Sequence, residues 1–281
     1  MKKHKAARPK TARLRERALP ERAAQGSGGR TRSSWDPVAS WYDGTVGMRG
    51  SPHHRKAAVP TVMRLAAVTQ RELVVDIGCG QGVMAHHVSK AGGRYLGVDA
   101  SSAMIRFAKE RREGEGRFEV GDARDLVGTT SLTAASVDVA MFVLSIQDMD
   151  PLSDVIASTA QVLAPGGRVV IFMIHPAFRA PRGSGWGFDE QRKLVYRRVE
   201  RYLTPAAVPM KAYSEVSRAQ RGATISFHRP LQTYVAALTA NGLVIDALEE
   251  LPDPVTHADK AGSTEIPLFL ALRAKLQPTS S

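Results

Sequence analysis

Three glycines at alternate positions carry the clearest chemical signal in the chain. Gly78, Gly80 and Gly82 follow the short apolar run 73–75, which is typical of a buried parallel strand, and they precede a helical pattern. Glycine lets backbone N–H groups approach a ligand at the positive end of a helix, where a side chain would block the approach. The acid Asp76 stands just before this turn. The stretch therefore predicts a cofactor cradle built largely from backbone groups.

A second acid follows at the spacing that a nucleotide-binding unit requires. Asp99 ends the strand-like stretch 94–99, roughly 20 residues beyond the turn, where a carboxylate can accept hydrogen bonds from ribose hydroxyls. A third strand is predicted at 118–123, and it ends in Gly121-Asp122-Ala123. The order of these acids along the chain favours a bound nucleotide cofactor over a glycine-rich turn without a ligand.

The pattern Asp76-x-Gly78-Cys79-Gly80-x-Gly82 resembles motif I of the class I S-adenosylmethionine-dependent methyltransferases, of the methyltransferase type 11 kind. The stretch 163–169, Leu-x-Pro-Gly-Gly-x-hydrophobic, is also typical of that family. The resemblance covers about residues 34–281 and implies S-adenosylmethionine as cofactor, S-adenosylhomocysteine as product and no metal. It implies these cofactor-binding residues: Tyr42, Asp76, Gly78, Cys79, Gly80, Gly82, Asp99, Ala100, Asp122, Ala123 and Leu144.

The same resemblance implies roles for individual side chains. The glycine turn lies under the methionine part of the cofactor, and Asp76 helps to orient the cofactor's amino group. Asp122 faces the adenine amino group, beside a backbone contact from Ala123. Tyr42 belongs to an aromatic stretch ahead of motif I and is expected to close over the cofactor and face the substrate, the alternative being that the two Trp and the Tyr of this stretch are packing residues. Cys79 is expected to be a small residue of the turn, since no His stands beside it.

The elements that position these residues predict an α/β fold, a Rossmann-like sheet of seven mostly parallel strands with helices on both faces. The resemblance implies the strand order 3-2-1-4-5-7-6 with the last strand antiparallel. The apolar run 136–144 is expected to be a central strand, so 144–148 should border the ligand crevice at its carboxyl end. An insert of about 177–227 follows the fifth strand and predicts a substrate cap with a hairpin of 194–203 against 223–227.

Two histidines are candidate general bases. His175 follows the strand 168–174 and His228 precedes a helix, and an unperturbed pKa near 6.5 suits a histidine to proton removal. The alternative is that His228 packs at the helix start and His175 only binds substrate. The predicted substrate-binding residues are Gln147, Trp186, Arg197 and Arg201.

The formal charge of +12 is unevenly distributed along the 281 residues. Residues 1–33 hold eleven Lys or Arg and two Glu, a net charge of +9, and residues 179–229 hold eleven Lys or Arg and four acids, a net charge of +7. The rest of the chain is therefore net −4. The segment 1–33 is predicted to be disordered, either as a basic arm for nucleic acid or another anionic surface or as a solubilising segment. The basic, aromatic insert predicts an anionic and aromatic acceptor.

The predicted function is methyl transfer from S-adenosylmethionine to an oxygen, nitrogen or carbon of a small molecule. A methyltransferase acting on RNA or another nucleic acid is the alternative, although an N/D-P-P-Y tetrad is missing after Leu144. An NAD-type oxidoreductase is the third possibility, and the glycine spacing argues against it. No apolar run approaches about 18 residues, no secretory signal is recognised, and Cys79 is the single cysteine. We therefore expect a cytoplasmic enzyme without membrane contact, whose oligomeric state the sequence leaves open.

Overall fold

The computed structural model describes residues 35–210, 224–255 and 264–278. Its strands, in chain order, are β1 (Leu73–Ile77), β2 (Arg94–Asp99), β3 (Arg117–Val120), β4 (Val137–Val143), β5 (Leu163–Ile174), β6 (Ser184–Asp189), β7 (Leu194–Val199), β8 (Ala206–Pro209), β9 (Ile225–His228), β10 (Leu243–Leu251) and β11 (Phe269–Leu276). Its helices are α1 (Ala39–Val46), α2 (Val59–Ala66), α3 (Ala85–Lys90), α4 (Ser102–Arg111), α5 (Leu126–Thr129), α6 (Leu152–Val162) and α7 (Leu231–Ala240). The predicted tail 1–33 lies outside the described residues.

Seven of these strands form the central sheet, in the spatial order β3-β2-β1-β4-β5-β11-β10. The first five strands run parallel to one another, and β11 is antiparallel to both β5 and β10. Counted along the chain, the sheet strands have the order 3-2-1-4-5-7-6, so the predicted topology and the antiparallel last strand are confirmed. The carboxyl ends of the parallel strands meet at one edge, where ligands bind in open sheets of this kind.

Both faces of the sheet are covered, and β1 shows why. Val75 and Ile77 belong to the core beneath α5, α6 and α7, while Val74 belongs to the core beneath α2, α3 and α4. Successive side chains of a strand point to opposite faces, so an unbroken apolar run supplies both layers. All three side chains are completely buried. Asp76 lies in the same strand, which places a carboxylate inside this apolar frame.

The cap differs from the prediction. β7 pairs with β6, with Trp186 opposite Arg197, and β9 pairs with β8. The predicted pairing of 194–203 with 223–227 is therefore wrong. The glycines of the preceding segment lower its strand propensity, yet a short turn lets it pair with β7, since neighbouring strands in sequence pair most readily. Residues 211–223 of the insert lie outside the described part of the chain.

Some boundaries also differ from the sequence-based expectation. The strand expected at 168–174 begins earlier, at Leu163, and its start is irregular, because the register against β4 shifts there and Gly166 has a φ of +77°. Helix α4 is capped by Ser101, whose hydroxyl accepts a hydrogen bond from the Met104 N–H at 3.2 Å. In the part of the chain that is described, we find no helix with the length and apolar character that crossing a bilayer requires.

Candidate active site

The glycine turn after β1 has a backbone that other residues adopt with difficulty. Gly78, Gly80 and Gly82 have φ values of +75°, +54° and +77°. A Cβ atom on Gly78 or Gly82 would collide with neighbouring side chains at 2.6 or 2.7 Å, whereas one on Gly80 would meet only Tyr42 Cε1, at 3.9 Å. The outer glycines are thus required by the protein's own packing. Gly80 instead faces open space, as a cofactor cradle requires.

Asp99, at the end of β2, is fixed against this turn. One carboxylate oxygen accepts the Gly80 N–H at 2.9 Å and the other accepts the Ser101 N–H, also at 2.9 Å. Burial raises the pKa of Asp99, and the two N–H groups oppose that rise. Each oxygen keeps a second lone pair, so the carboxylate can still accept hydrogen bonds from ligand hydroxyls.

Asp76 is a buried acid with one unsatisfied oxygen. Its Oδ2 accepts a hydrogen bond from the Tyr95 hydroxyl at 2.7 Å, while its Oδ1 has no partner among the described residues. Burial raises the pKa of the Asp76 carboxyl to about 7, although the Tyr95 hydrogen bond works in the opposite direction. A buried oxygen without a donor is costly, so this position favours a ligand that supplies a cationic N–H. The sequence reasoning missed Tyr95, whose aromatic position in β2 is equally typical of packing.

Helix α1 is anchored on α4 at both of its ends. Just before α1, Asp36 accepts hydrogen bonds from the Ser101 hydroxyl at 2.5 Å and from the Ala103 N–H at 3.1 Å. Near the other end, Asp43 pairs with Arg111 at 2.5 Å. The first contact also places a negative charge at the N-terminus of α4, where the helix dipole is favourable. This double attachment holds α1 across the glycine turn.

Tyr42 of α1 lies among three acids. Burial raises the pKa of its phenol above the usual range, and the negative charges of Asp148, Asp99 and Asp76 raise it further. The hydroxyl therefore stays protonated and can donate a hydrogen bond. Asp76 and Asp99 belong to the cofactor turn, whereas Asp148 follows β4, so Tyr42 stands between two groups of acids.

Asp148 is the principal site residue that the sequence reasoning did not select, although it lies in the predicted crevice segment 144–148. It ends a short helical turn after β4, and the Ser226 hydroxyl of β9 donates a hydrogen bond to its carboxylate. Burial raises the pKa of Asp148 to about 8, while Ser226 and the charge of Arg229 oppose the rise. The side chain is half-buried and so remains accessible to a ligand. Its pKa and location are those of a candidate proton acceptor.

Two further polar side chains near the helical turn after β4 have an atom without a hydrogen-bond partner among the described residues. Gln147 donates a hydrogen bond to the Leu144 carbonyl at 2.5 Å, but its Oε1 has no described partner. Arg229 is buried and donates to the Met149 carbonyl and to Asp150, both at 2.7 Å, while its Nη1 finds no partner within the described ranges. Leu144 itself has a φ of +57°, a strained conformation for a non-glycine residue that is often found at functional sites. A ligand with both donor and acceptor groups would satisfy these atoms.

The two candidate histidines have different environments. The Nε2 of His175 hydrogen-bonds to Glu250 at 2.8 Å, and its Nδ1 accepts the N–H groups of Ala177 and Phe178 at 3.2 and 3.4 Å. Only 3% of His175 is exposed, and burial lowers its pKa. Both ring nitrogens thus serve protein contacts, which weighs against a catalytic role. That role stays a prediction.

His228 has a free acceptor side in its neutral form. Its Nε2 donates to the Tyr202 carbonyl at 2.8 Å, which assigns the ring proton to that nitrogen and leaves Nδ1 unprotonated. His228 and Ser226 share one face of β9 because they are two residues apart in a strand. His228 therefore lies on the same strand face as Ser226, whose hydroxyl contacts Asp148.

The remaining predicted cofactor residues are placed as follows. The Asp122 carboxylate pairs with Arg124 at 2.5 Å, so its expected role at the adenine stays a prediction. Ala123 packs against the core, and Ala100 is exposed beside Asp99. Burial raises the pKa of the Cys79 thiol well above its usual range, which keeps the thiol protonated, in keeping with a packing residue.

Of the predicted substrate residues of the cap, Arg197 and Trp186 lie against each other. Arg197 donates to the Phe178 carbonyl at 2.7 Å and to the Ser184 hydroxyl at 2.8 Å, and its guanidinium lies 5.3 Å from the Trp186 ring centroid. Trp186 is 43% exposed. Arg201 is exposed in the bend after β7. Their contact with a substrate stays a prediction, and Arg197 has a structural role as well.

Comparison with known proteins identifies the family of this domain. The model of the methyltransferase domain family matches residues 75–171, which contain the glycine turn, Asp99, Asp148 and most of β5. These residues form a methyltransferase domain. The resemblance of motif I to class I S-adenosylmethionine-dependent methyltransferases is thereby confirmed. Across the residues that the methyltransferase structure describes, no group of three or more His, Cys, Asp or Glu could hold a metal.

Relatives of known function cover different shares of this chain. A demethylmenaquinone methyltransferase from Tropheryma whipplei (strain Twist) is 29% identical over 143 residues, which are 50% of this chain and 57% of that protein. An N-demethylindolmycin N-methyltransferase from Streptomyces griseus is 27% identical over 205 residues, which are 71% of this chain and 79% of that protein. The chain thus spans little more than half the length of the first relative.

The fold of the methyltransferase is also found in solved structures. An S-adenosylmethionine-dependent methyltransferase from Mesorhizobium loti has a TM-score of 0.65 and 24% identity, covering 82% of this chain and 100% of that one. A structure described as a putative S-adenosylmethionine-dependent methyltransferase, from Listeria monocytogenes, has a TM-score of 0.62 and 22% identity, covering 77% and 98%. At this level of identity, the likeness establishes the shared fold.

Proposed function

We propose that this methyltransferase transfers a methyl group from S-adenosylmethionine to a nitrogen or oxygen of a small-molecule acceptor, and that Asp148 accepts the acceptor's proton. The observation that carries the proposal is the position of Tyr42. Its phenol is close enough to Asp76, Asp99 and Asp148 for all three charges to raise its pKa. The turn after β4 also adjoins the turn after β1, because the Ser145 hydroxyl donates to the Ile77 carbonyl at 2.7 Å, and we infer that these acids face one crevice.

The cofactor side fits S-adenosylmethionine in its chemistry. The unsatisfied Asp76 Oδ1 suits an ammonium group, Gly80 leaves open space, and Asp99 keeps lone pairs for ribose hydroxyls. When bound, S-adenosylmethionine supplies an electrophilic methyl group on a sulfonium. The chain then has to align the acceptor and exclude water. Tyr42, on the anchored helix α1, is suited to both tasks.

The acceptor side supplies a base. An N–H or O–H nucleophile has to lose a proton during methyl transfer, and a carboxylate with a raised pKa accepts a proton well near neutral pH. Ser226 donates to the Asp148 carboxylate and so helps to orient it. His228, whose Nδ1 is unprotonated in the neutral ring, is a second group of β9 that can assist.

Two observations support a small acceptor with polar groups. The unsatisfied Gln147 Oε1 and Arg229 Nη1 offer one acceptor and one donor near Asp148, and the arginine suits a carboxylate or carbonyl oxygen. The names of the relatives, a demethylmenaquinone methyltransferase and an N-demethylindolmycin N-methyltransferase, support a small molecule as the class of acceptor. The anionic acceptor predicted from the charge of the cap is retained as part of the proposal, with Arg229 as its partner.

The test is the formation of S-adenosylhomocysteine with a panel of hydroxy- and amino-substituted aromatic acids, followed over pH. We expect the rate to rise with pH and to level off above about 8, because Asp148 must be ionised to act as base. Asp148→Asn should lower kcat by roughly 100-fold and remove this dependence, while leaving S-adenosylhomocysteine affinity unchanged. Ser226→Ala should move the midpoint to higher pH, since Ser226 lowers the pKa of Asp148.

Asp154→Asn is the matched control, because Asp154 is an exposed acid at the start of α6. It should behave as wild type. A wild-type rate in Asp148→Asn, or a flat pH profile in the wild type, would refute the role of Asp148. Absence of product with every acceptor, together with normal S-adenosylhomocysteine binding, would refute the proposed acceptor class.

A further inference from the structure

A cavity of about 490 Å³ lies outside the group of acids described above, between α2, α3 and the end of α4. Five of its seven lining side chains are basic and none is acidic. They are Arg49, Arg55, His86, His87 and Arg112, with Val59 and Val83. The valines give the cavity an apolar base, and the basic groups surround it. This combination suits an anion with some apolar surface, or an anionic group alone.

The basic lining is a local feature of an otherwise acidic scaffold. Outside residues 1–33 and 179–229 the chain carries a net charge of −4. Arg49 and Arg55 are exposed, and neither has an acidic partner among the residues that the structure describes. Glu115 is the acid at the edge of the cavity, where it pairs with His86 at 2.9 Å and with Arg112 at 3.3 Å. One carboxylate therefore faces several positive groups, and their mutual repulsion is incompletely offset.

Arg112 lines this cavity and also carries a buried donor without a described partner. It is 9% exposed, donates to the Met48 carbonyl and pairs with Glu115, yet its Nε has no partner within the described ranges. Its side chain also packs beneath the cofactor turn, since a Cβ on Gly82 would lie 3.3 Å from Arg112 Cγ. An arginine held in this way joins the cavity to the cofactor turn. An added anion would compensate its charge where solvent reaches it poorly.

The cavity also borders the loop 47–50, which follows helix α1. Three side chains hold three successive parts of this loop. Gln81 donates to the Gly47 carbonyl at 2.6 Å, Arg112 donates to the Met48 carbonyl, and Arg55 donates to the Gly50 carbonyl. Gln81 belongs to the cofactor turn, whereas Arg55 and Arg112 line the cavity. The same loop is thus tied to both places.

We propose that this cavity binds a phosphate-class anion, either inorganic phosphate or the phosphate group of a small molecule, and that the bound anion strengthens cofactor binding by ordering the loop 47–50. The ligand would accept hydrogen bonds from the arginines, which suit phosphate oxygens because of their forked donors. Coupling of this kind is reciprocal, so the cofactor product should strengthen anion binding by the same factor. The proposal does not depend on the acceptor or on Asp148.

His87 provides a spectroscopic reporter. Its pKa is lowered first by burial and then by the positive charges of His86, Arg112 and Lys90, while Glu115 acts in the opposite direction. A phosphate bound among these groups would add negative charge and raise the pKa of His87. Proton NMR of the histidine ring therefore reports binding at the cavity without any measurement of methyl transfer.

The experiment titrates the full chain with inorganic phosphate, pyrophosphate and ATP at constant ionic strength, with chloride as the reference anion. We expect saturable binding by calorimetry, a raised pKa of His87, and S-adenosylhomocysteine affinity increased by about fivefold at saturation. Arg49→Ala should weaken anion binding at least tenfold, because Arg49 makes no described ion pair and its loss leaves the loop contacts intact. Arg106→Ala is the control, since Arg106 is an exposed arginine of α4 outside the cavity.

The ligands distinguish the sources of the phosphate. Tightest binding of inorganic phosphate would identify a free-anion site, whereas tighter binding of ATP or pyrophosphate would identify a phosphorylated small molecule, and either result supports the proposal. Competition between the anion and S-adenosylhomocysteine would overturn it, because the anion would then occupy the cofactor site. An unchanged pKa of His87, or equal loss of binding in Arg49→Ala and Arg106→Ala, would also overturn it and would indicate surface charge alone.

Discussion

The Asp76 carboxylate receives its one described hydrogen bond from Tyr95, at 2.7 Å. This contact lowers the pKa of Asp76 and so favours the ionised form, which a cationic ligand group needs. Burial acts against it and holds the pKa near 7. At the scale of single residues, we therefore expect the candidate cofactor site to depend on a tyrosine that does not itself belong to motif I.

Tyr95→Phe should therefore weaken S-adenosylhomocysteine binding by about tenfold, because a hydrogen bond to a buried charged group is lost. The ring should keep its place beside Phe118, whose centroid is 5.6 Å away. Loss of the Tyr95 hydrogen bond should raise the pKa of Asp76 in the ligand-free variant. Calorimetry in buffers of different ionisation enthalpy should therefore detect more proton release on ligand binding than in wild type. Tyr196→Phe, on an exposed tyrosine of the cap, is the control. Equal affinities in the two variants would show that Tyr95 has no such role.

At the scale of secondary-structure elements, the cap hairpin of β6 and β7 contains a matched pair of arginines. Arg197 is held by a carbonyl, a hydroxyl and the Trp186 ring, whereas its neighbour Arg198 makes an exposed ion pair with Glu200. Exposed ion pairs contribute little stability, while a desolvated arginine with satisfied donors contributes more. A comparison of substitutions at the two positions therefore distinguishes the effect of side-chain contacts from the effect of charge.

Arg197→Ala should loosen the hairpin and expose it to proteolysis, with a loss of roughly 1 to 3 kcal/mol in the local free energy of unfolding. Arg198→Ala removes the same charge and should change proteolytic rates little. Limited proteolysis with mass spectrometry of the cleavage sites provides the measurement. If both variants are cleaved alike, the contacts of Arg197 do not stabilise the cap. If only acceptor KM rises in Arg197→Ala, its predicted role in substrate binding gains support instead.

At the scale of the whole molecule, the crevice concentrates acids whose pKa values are raised by burial. In the unfolded chain an Asp side chain titrates near pH 3.9, whereas in the fold Asp76 has a pKa of about 7 and Asp148 of about 8. Between these pKa values and the unfolded value, the folded protein binds more protons than the unfolded chain. Stability contributed by the protonated acids is then lost as pH rises through the folded pKa values.

We expect the free energy of unfolding of the ligand-free protein to fall by about 1 kcal/mol per pH unit between about pH 7 and 9. The melting temperature should fall with it. His54 and His175, whose pKa values are lowered by burial, are already neutral in both states over most of this window and do not offset the loss. Differential scanning calorimetry across the window provides the measurement. Asp148→Asn should flatten the curve and Asp154→Asn should not. A constant or rising melting temperature in the wild type would contradict the expectation.

The candidate cofactor side could be predicted from the sequence because the residues proposed for it are local. The strand, the turn and the helix start at 73–85 are adjacent in the chain, and Asp99 follows on the neighbouring strand at a spacing set by one βαβ unit. The parallel sheet with the order 3-2-1-4-5-7-6 followed from the resemblance of those residues to a known family. Glycines at alternate positions in such a turn indicate a backbone conformation with positive φ, which the residue types and their spacing are enough to predict.

The proposed acceptor side depends on the tertiary structure. Ser226 reaches Asp148 because β9 packs beside the turn after β4, and no local pattern connects residues so distant in the chain. The same is true of His175, whose ring nitrogens are occupied by Glu250 and by the backbone of the cap, and of the pairing of β7 with β6. Strand pairing and side-chain partners across a long insert depend on register and on loop path, which single-sequence periodicity does not encode.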